Sequence, residues 1–207
     1  MTKALRWRVL VLQAGLVLIL GFVAGFAFWA AGFTHNSVTT QLAAQNITFP
    51  AANSAEITSL PAVDAAAMRQ YAGDVMTTGP QAEVWADNFI KVHLSEMPTY
   101  DAASGLARAN PTSTVDAQTE ATVFQGTTLR SMLLNAYGWW TFGTYVGVAG
   151  IGLVIAAFAV LCTFVFELVL WRREATATSP AHAPAPALGS AGSVPAVGIA
   201  QMTRHDS

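Results

Sequence analysis

The chain has 207 residues, of which 53% are hydrophobic and 11% are charged. Soluble domains carry about 25% charged residues, so this composition excludes an ordinary soluble protein and predicts a membrane protein. The formal net charge of −2 excludes the strongly basic surface of a nucleic-acid-binding protein, so nucleic acid is not an expected partner.

The first apolar segment, residues 9–33, is long enough to cross a hydrocarbon core of roughly 30 Å as a helix. Secretory signal peptides have shorter apolar regions that end in a small-residue cleavage site, and here Phe28 and Trp29 crowd the only such site. We therefore predict a transmembrane helix that is an uncleaved signal anchor. Cleavage after Ala30 or Ala31 is the alternative, and it leaves a single C-terminal anchor in the same orientation.

The segment that follows, residues 34–61, lacks helical periodicity and contains Pro50, so we predict an extended stalk or short strands. Strong helix formers then predict a helix over residues 62–71 that ends near Gly73. A second helix begins near Pro80 and carries one apolar stripe.

The other face of this second helix is charged. Glu83, Asp87 and Lys91 follow one another at four-residue steps, and an acidic residue ahead of a basic one at this spacing forms a favourable surface pair. We therefore interpret the two carboxylates as part of a solvated charge ladder, with Asp87 beside Lys91, rather than as a catalytic pair.

Two short helices are predicted next. The first opens at Thr99 or Asp101 and ends at Asn110, ahead of a proline. The second opens at Ser113, which together with Asp116 resembles a capping box with Asp in the place of Glu or Gln.

The helix that opens at Ser113 is the fourth predicted helix between the two apolar segments. We expect it to end near Phe124, because Gly126 follows and glycine disfavours helix interiors. A fifth helix begins at Thr127 or Thr128 and runs toward the second apolar segment, with Gly138 as the one obvious hinge. If the helix is unbroken, the exterior domain is mechanically tied to the second transmembrane span.

The second apolar segment, residues 139–171, is bordered by tryptophans and arginines of the kind that anchor helices at membrane interfaces. Glu167 lies near its end, where pairing with a neighbouring arginine is a better interpretation than a proton relay, because neither span holds a second acidic residue. The predicted anchors of the two spans are Trp29, Trp139, Trp140, Trp171, Arg172 and Arg173.

Basic residues flank both spans on the same side. Residues 1–8 hold one lysine and two arginines, two arginines follow the second span, and such clusters stay in the cytoplasm. We therefore predict an all-α protein of the cell membrane, in which two transmembrane helices flank a small, mainly helical extracytoplasmic domain, residues 34–138. Residues 172–207 form a cytoplasmic tail, which is rich in Ala, Pro, Ser and Gly and is predicted to be disordered.

Both spans carry glycines four residues apart, a spacing that lets helix backbones approach closely in lipid. Helix pairing within the chain and dimerisation between chains both fit this pattern, and so does the general abundance of glycine in transmembrane helices. The predicted packing positions are Gly21, Gly25, Gly143 and Gly147.

Few residues offer catalytic or metal-binding chemistry. The single cysteine, Cys162, lies within the second span, which excludes a disulfide framework and an exterior thiol nucleophile. His93 and Glu96 are spaced to share one helix face and are the only candidate metal ligands, and two ligands do not make a site. No catalytic or cofactor-binding residue is predicted, and no cofactor is expected.

Several short motifs resemble a group of actinobacterial two-span membrane proteins of uncharacterised function. They are the run from Trp85 to Ile90, His93, the pair Thr99-Tyr100, and the leucine-rich run from Thr127 to Asn135. Members of the group are often labelled as subunits of an aromatic ring-opening dioxygenase, so the resemblance implies that activity. Such an enzyme needs an iron held by several His and carboxylate groups, which a lone exterior His93 does not supply.

These observations leave three hypotheses for function. The first is a non-catalytic accessory or assembly subunit of the cell envelope, whose partner is another membrane or envelope protein or a second copy of the chain. The second is an extracytoplasmic ligand or pH sensor coupled to the second span, for which His93 is the titratable candidate. The third, an enzyme of the dioxygenase kind, has no set of residues to carry it.

Overall fold

The computed structural model describes residues 3–177, with side chains described for residues 4–174. This part of the chain is all-helical, as predicted, and one isolated antiparallel bridge joins Thr48 to Val75. A π-helical turn, Trp85–Ile90, joins α4 to α5. The helices are α1 (Lys3–Ala44), α2 (Ala55–Thr58), α3 (Ala62–Arg69), α4 (Gly79–Val84), α5 (Lys91–Ser95), α6 (Tyr100–Ala109) and α7 (Thr114–Ala177).

Helices α1 and α7 are long and apolar enough to cross a membrane. Their candidate spans, Ala4–Ala44 and Thr114–Glu174, contain windows with mean hydropathies of 2.5 and 2.7. An apolar helix satisfies its own backbone hydrogen bonds, which is the requirement for crossing lipid. The prediction of two apolar helices that could span a membrane is confirmed.

The described chain divides into a unit that ends at Leu168 and a second unit that begins at Val169. The second unit is helical as far as Ala177. The predicted disordered tail, residues 172–207, therefore starts inside a helix, and its remainder lies outside the described residues.

The prediction of an extended stalk over residues 34–61 is wrong for its first part, because α1 continues to Ala44. Polar side chains in this part bond within their own helix: the Thr40 hydroxyl donates to the carbonyl of Asn36 at 2.8 Å. Val38 and Leu42 are buried against the short helices, so tertiary packing holds the extension helical.

The predicted break at Gly126 is also wrong, and α7 runs through Gly126 and Gly138 without interruption. A β-carbon at Gly126 would lie 2.9 Å from Cδ2 of Leu94, so glycine here permits a close approach rather than ending the helix. The prediction that the fifth helix continues unbroken into the second apolar segment is confirmed.

Residues 45–113, which we call the head, surround a small apolar core. Its most deeply buried side chains are Phe49, Ile57, Met68 and Met76. The loop segments around Phe49 and Asp74 are joined by a backbone hydrogen bond, in which the Phe49 amide donates to the carbonyl of Asp74 at 2.9 Å. Leu133 of α7 belongs to the same core, so a side chain of a long helix completes the core of the head.

Local capping sets where the short helices begin. Thr78 and Gln81 form a reciprocal capping box at the start of α4. Thr99 accepts a hydrogen bond from the amide of Ala102, as expected for the predicted start of α6. The Ser113 hydroxyl accepts from the amide of Asp116 at 3.2 Å, which is half of the predicted capping box.

Helices α1 and α7 pack against each other in antiparallel directions. A β-carbon at Gly143 would overlap the Thr34 hydroxyl, and one at Gly147 would lie 3.5 Å from the β-carbon of Ala31. As the residue numbers along α7 increase, the numbers of the α1 residues that they contact decrease, so the two helices are antiparallel. The predicted packing glycines do not meet each other, since a β-carbon at Gly21 or Gly25 would meet nothing within 4 Å.

This geometry predicts a specific disulfide. In a variant with Ala31→Cys, Gly147→Cys and Cys162→Ser, oxidation should link the two new cysteines within one chain, because their β-carbons lie at the short end of the disulfide range of about 3.5–4.5 Å. Non-reducing electrophoresis and peptide mass spectrometry measure the link. The matched control pairs Gly25→Cys with Gly147→Cys, and should not close. Disulfide-linked dimers in place of the internal link would contradict the pairing.

Candidate functional site

Trp140 of α7 lies against both α1 and the head. The His35 ring stacks on the Trp140 indole with ring centroids 4.2 Å apart. Its Nε2–H donates to the Trp140 carbonyl oxygen at 3.0 Å, and that oxygen also accepts from the Thr144 hydroxyl. A β-carbon at Gly79 would overlap the Trp140 side chain. Trp140 therefore contacts both α1 and the start of α4.

A second contact joins α7 to the π-helical turn. Nη2 of Arg130 lies 2.6 Å from Oδ1 of Asp87, and both side chains are about two-thirds buried. Asn88, the next residue, donates to Oδ1 of Asp64 at 2.8 Å. The π-helical turn thus directs one side chain to α7 and the next to α3, and such turns occur frequently at functional sites.

The prediction that Asp87 pairs with Lys91 on a solvated face is therefore wrong. Asp87 pairs with Arg130 across the interface with α7, whereas Lys91 is exposed at the start of α5. The π-helical turn changes the angular register between Asp87 and Lys91, so the α-helical four-residue rule does not apply there.

A groove with a cavity volume of about 710 Å³ lies between the C-terminal part of α1 and the facing part of α7. It extends from Phe33 and Trp139 at one end to Gln45, Ile47 and Leu129 at the other. Its volume lies within the roughly 300–1,000 Å³ of small-molecule sites. None of its lining residues is ionisable, so its walls consist of apolar side chains and neutral amides and hydroxyls.

The metal-ligand candidates remain isolated in the structure. Nδ1–H of His93 donates to the carbonyl of Phe89 at 2.8 Å, and the exposed His93 ring packs against the Phe89 ring. Glu96 follows the end of α5 and is exposed. Within residues 3–177, no group of three or more His, Cys, Asp or Glu side chains is placed to hold a metal ion.

The predicted interface anchors differ in their surroundings. Trp29 and Trp139 are more than half exposed, whereas Trp140 is half-buried through its contacts with His35 and Gly79. In the second unit, Trp171 is half-buried, and the two residues that follow it, Arg172 and Arg173, are exposed.

Sequence reasoning missed both His35 and Arg130 as contact residues. A signal existed for His35, which is the only ionisable residue between Arg8 and Glu56. The polar groove positions on this side also follow a four-residue spacing, at Ser37 and Gln41 on α1 and at Gln45 just after its end. Arg130 carried no comparable signal, because its partner lies 43 residues away.

Comparison of this chain with protein-family models, with curated proteins and with solved structures finds no match.

The Arg130–Asp87 contact predicts a coupling energy that a double-mutant cycle can measure. Changing Asp87→Ala and Arg130→Ala, singly and together, should give a coupling of about 0.5–1 kcal/mol, since the pair is partly solvated. Chemical unfolding followed by amide exchange in residues 62–96 provides the free energies. The matched cycle of Asp87→Ala with Lys91→Ala should give coupling near zero. Stronger coupling to Lys91 than to Arg130 would contradict the structure.

Proposed function

We propose that this protein is a non-catalytic integral membrane protein of the cell envelope, which serves as an accessory or assembly subunit of another membrane component. The observation that carries the proposal is the large apolar surface that the chain leaves uncovered on both long helices. Phe22 is 77% exposed on α1 and Phe158 is 66% exposed on α7. Contiguous exposed apolar surface of this kind marks a membrane or protein interaction site.

One face of α1 supports contact with another helix as well as with lipid. Gly21 and Gly25 lie on the exposed surface of α1 with open space around their α-carbons. Small residues at this spacing allow the backbone of a neighbouring helix to approach closely. Because α7 packs on other positions of α1, this face is available to a partner protein or to a second copy of the chain.

The proposed topology places both termini in the cytoplasm and the head outside. It follows from the basic residues at the two ends, one lysine and two arginines in residues 1–8 and the pair Arg172 and Arg173. In this orientation the head and the outer parts of α1 and α7 are presented to other components of the envelope.

The proposal predicts a partner that depends on the open face of α1. Affinity purification of the full chain from its native membrane in mild detergent should recover a reproducible partner, identified by mass spectrometry. Gly21→Leu with Gly25→Leu should reduce partner recovery by about tenfold, a loss of about 1.4 kcal/mol of binding. The control, Gly32→Leu, also points into open space and should leave recovery unchanged.

Two outcomes would contradict this function. Recovery of the chain with nothing but itself counts against an accessory subunit. Stoichiometric iron in the same purified fraction, measured by metal analysis, would favour catalysis instead.

A second candidate function is an extracytoplasmic ligand or pH sensor. The observation that favours it is the unbroken α7, which contacts the head through Arg130 and continues into the second apolar segment. A change in the head at Asp87 would therefore act directly on the helix that carries the second candidate span.

The sensor function predicts a response centred on His93. Acidification of the full chain from neutral pH to about pH 5 should change amide exchange in residues 62–96, because a pH sensor converts a change in pH into a change in the conformation of its sensing domain. The same acidification of a His93→Ala variant should leave exchange unchanged. If the response persists in His93→Ala and disappears in His35→Ala, the response depends on the contact between His35 and Trp140. That result would contradict a sensing role for His93.

A further inference from the structure

The groove between α1 and α7 has an apolar floor and neutral polar rims. Val38, Leu42 and Leu133 form the floor and are each less than 9% exposed. One rim is formed by Ser37 and Gln41 on α1 and by Gln45 just after its end, and Ser131 and Asn135 lie on the opposite rim on α7. The groove is therefore amphipathic across its width, with no charge on either side.

Three of the rim side chains have unused hydrogen-bonding capacity. The Gln41 amide donates to the Ser37 hydroxyl at 3.1 Å. The side chains of Gln45, Ser131 and Asn135 are exposed and form no hydrogen bond to another group within the described residues. An amide or hydroxyl offers both donors and acceptors, which suits a head group that carries hydroxyls and esters. A phosphate or ammonium group would find no countercharge in the groove.

One end of the groove is continuous with the exposed apolar surface of the two long helices. Phe33 and Trp139 stand at this end and are 61% and 53% exposed. Beyond them lie the apolar segments proposed to cross the membrane. A chain that leaves the groove here therefore enters hydrocarbon directly, whereas a water-soluble ligand gains nothing from this continuity.

We propose that the groove binds a neutral membrane lipid. Its uncharged, hydroxyl-bearing head group lies between the polar rims at Gln45, Ser131 and Asn135, and its acyl chain crosses the apolar floor and passes Phe33 and Trp139 into the bilayer. This inference rests on the membrane placement in the proposed function, but not on the existence of a protein partner.

The test uses the purified full chain in lipid nanodiscs and two photoactivatable probes with the same diazirine-bearing acyl chain. One probe has a neutral glycosyl head group and the other is a phosphatidylglycerol. Peptide mapping after illumination should place the neutral probe on residues 33–47 and 129–139, with labelling about tenfold above that of the anionic probe. Residues 151–158, exposed on the apolar part of α7, should show no preference between the probes.

Variants separate the groove from the rest of the surface. Met132→Trp, at a lining position that is 65% exposed, should obstruct the groove and reduce labelling by the neutral probe about tenfold. Asn135→Leu should remove the preference for the neutral head group. The matched control is Gln125→Leu, an exposed amide on the same helix outside the groove, and it should change neither result.

Equal labelling of the groove by both probes would overturn the proposal, as would full labelling of Met132→Trp. Cross-linking of a partner polypeptide to the groove in native membranes, in preference to lipid, would overturn it as well. The nanodiscs contain no partner protein, so the labelling experiment does not depend on whether a partner exists. The co-purification experiment likewise does not depend on lipid binding in the groove, so each proposal can fail without the other.

Discussion

The close approach of α7 to α1 at Gly143 is the constraint on which the other contacts depend. A β-carbon at this position would overlap the Thr34 hydroxyl and crowd the His35 ring, so only glycine lets the two backbones meet. Because they meet, His35 reaches the Trp140 carbonyl and stacks on its indole. Close packing and hydrogen bonds of this kind hold two helices together even in lipid, where the hydrophobic effect does not drive their association.

The same face of α7 also carries the head. Four residues of α7, spaced four, three and seven residues apart, contact the head. Gly126 lies against Leu94 and Arg130 pairs with Asp87, whereas Leu133 joins the head core and Trp140 lies against Gly79. This spacing is that of one helix face, and it continues into Gly143. One stripe of a single helix therefore orders both the head and α1, so a displacement in either would be felt by the other through α7.

The surfaces that this stripe leaves uncovered are where the proposed functions reside. The opposite faces of the long helices are apolar and exposed, and the groove beside the stripe is lined by neutral side chains. The head core includes Leu133 of α7 and two residues of α1, Val38 and Leu42, so both long helices contribute to the stability of the head. In the proposed function, contact with lipid or a neighbouring protein would bury the apolar surface that the long helices leave exposed.

The sequence by itself determined the two long apolar helices and several helix starts. A long uncharged apolar run has no stable alternative to a buried or membrane helix, and a cap such as Thr99 acts over only three residues. Only the tertiary structure decided that α1 extends to Ala44, that Gly126 is a contact rather than a break, and that Asp87 meets Arg130 instead of Lys91. Each of these depends on residues distant in the chain, and helical stability in proteins comes largely from such packing.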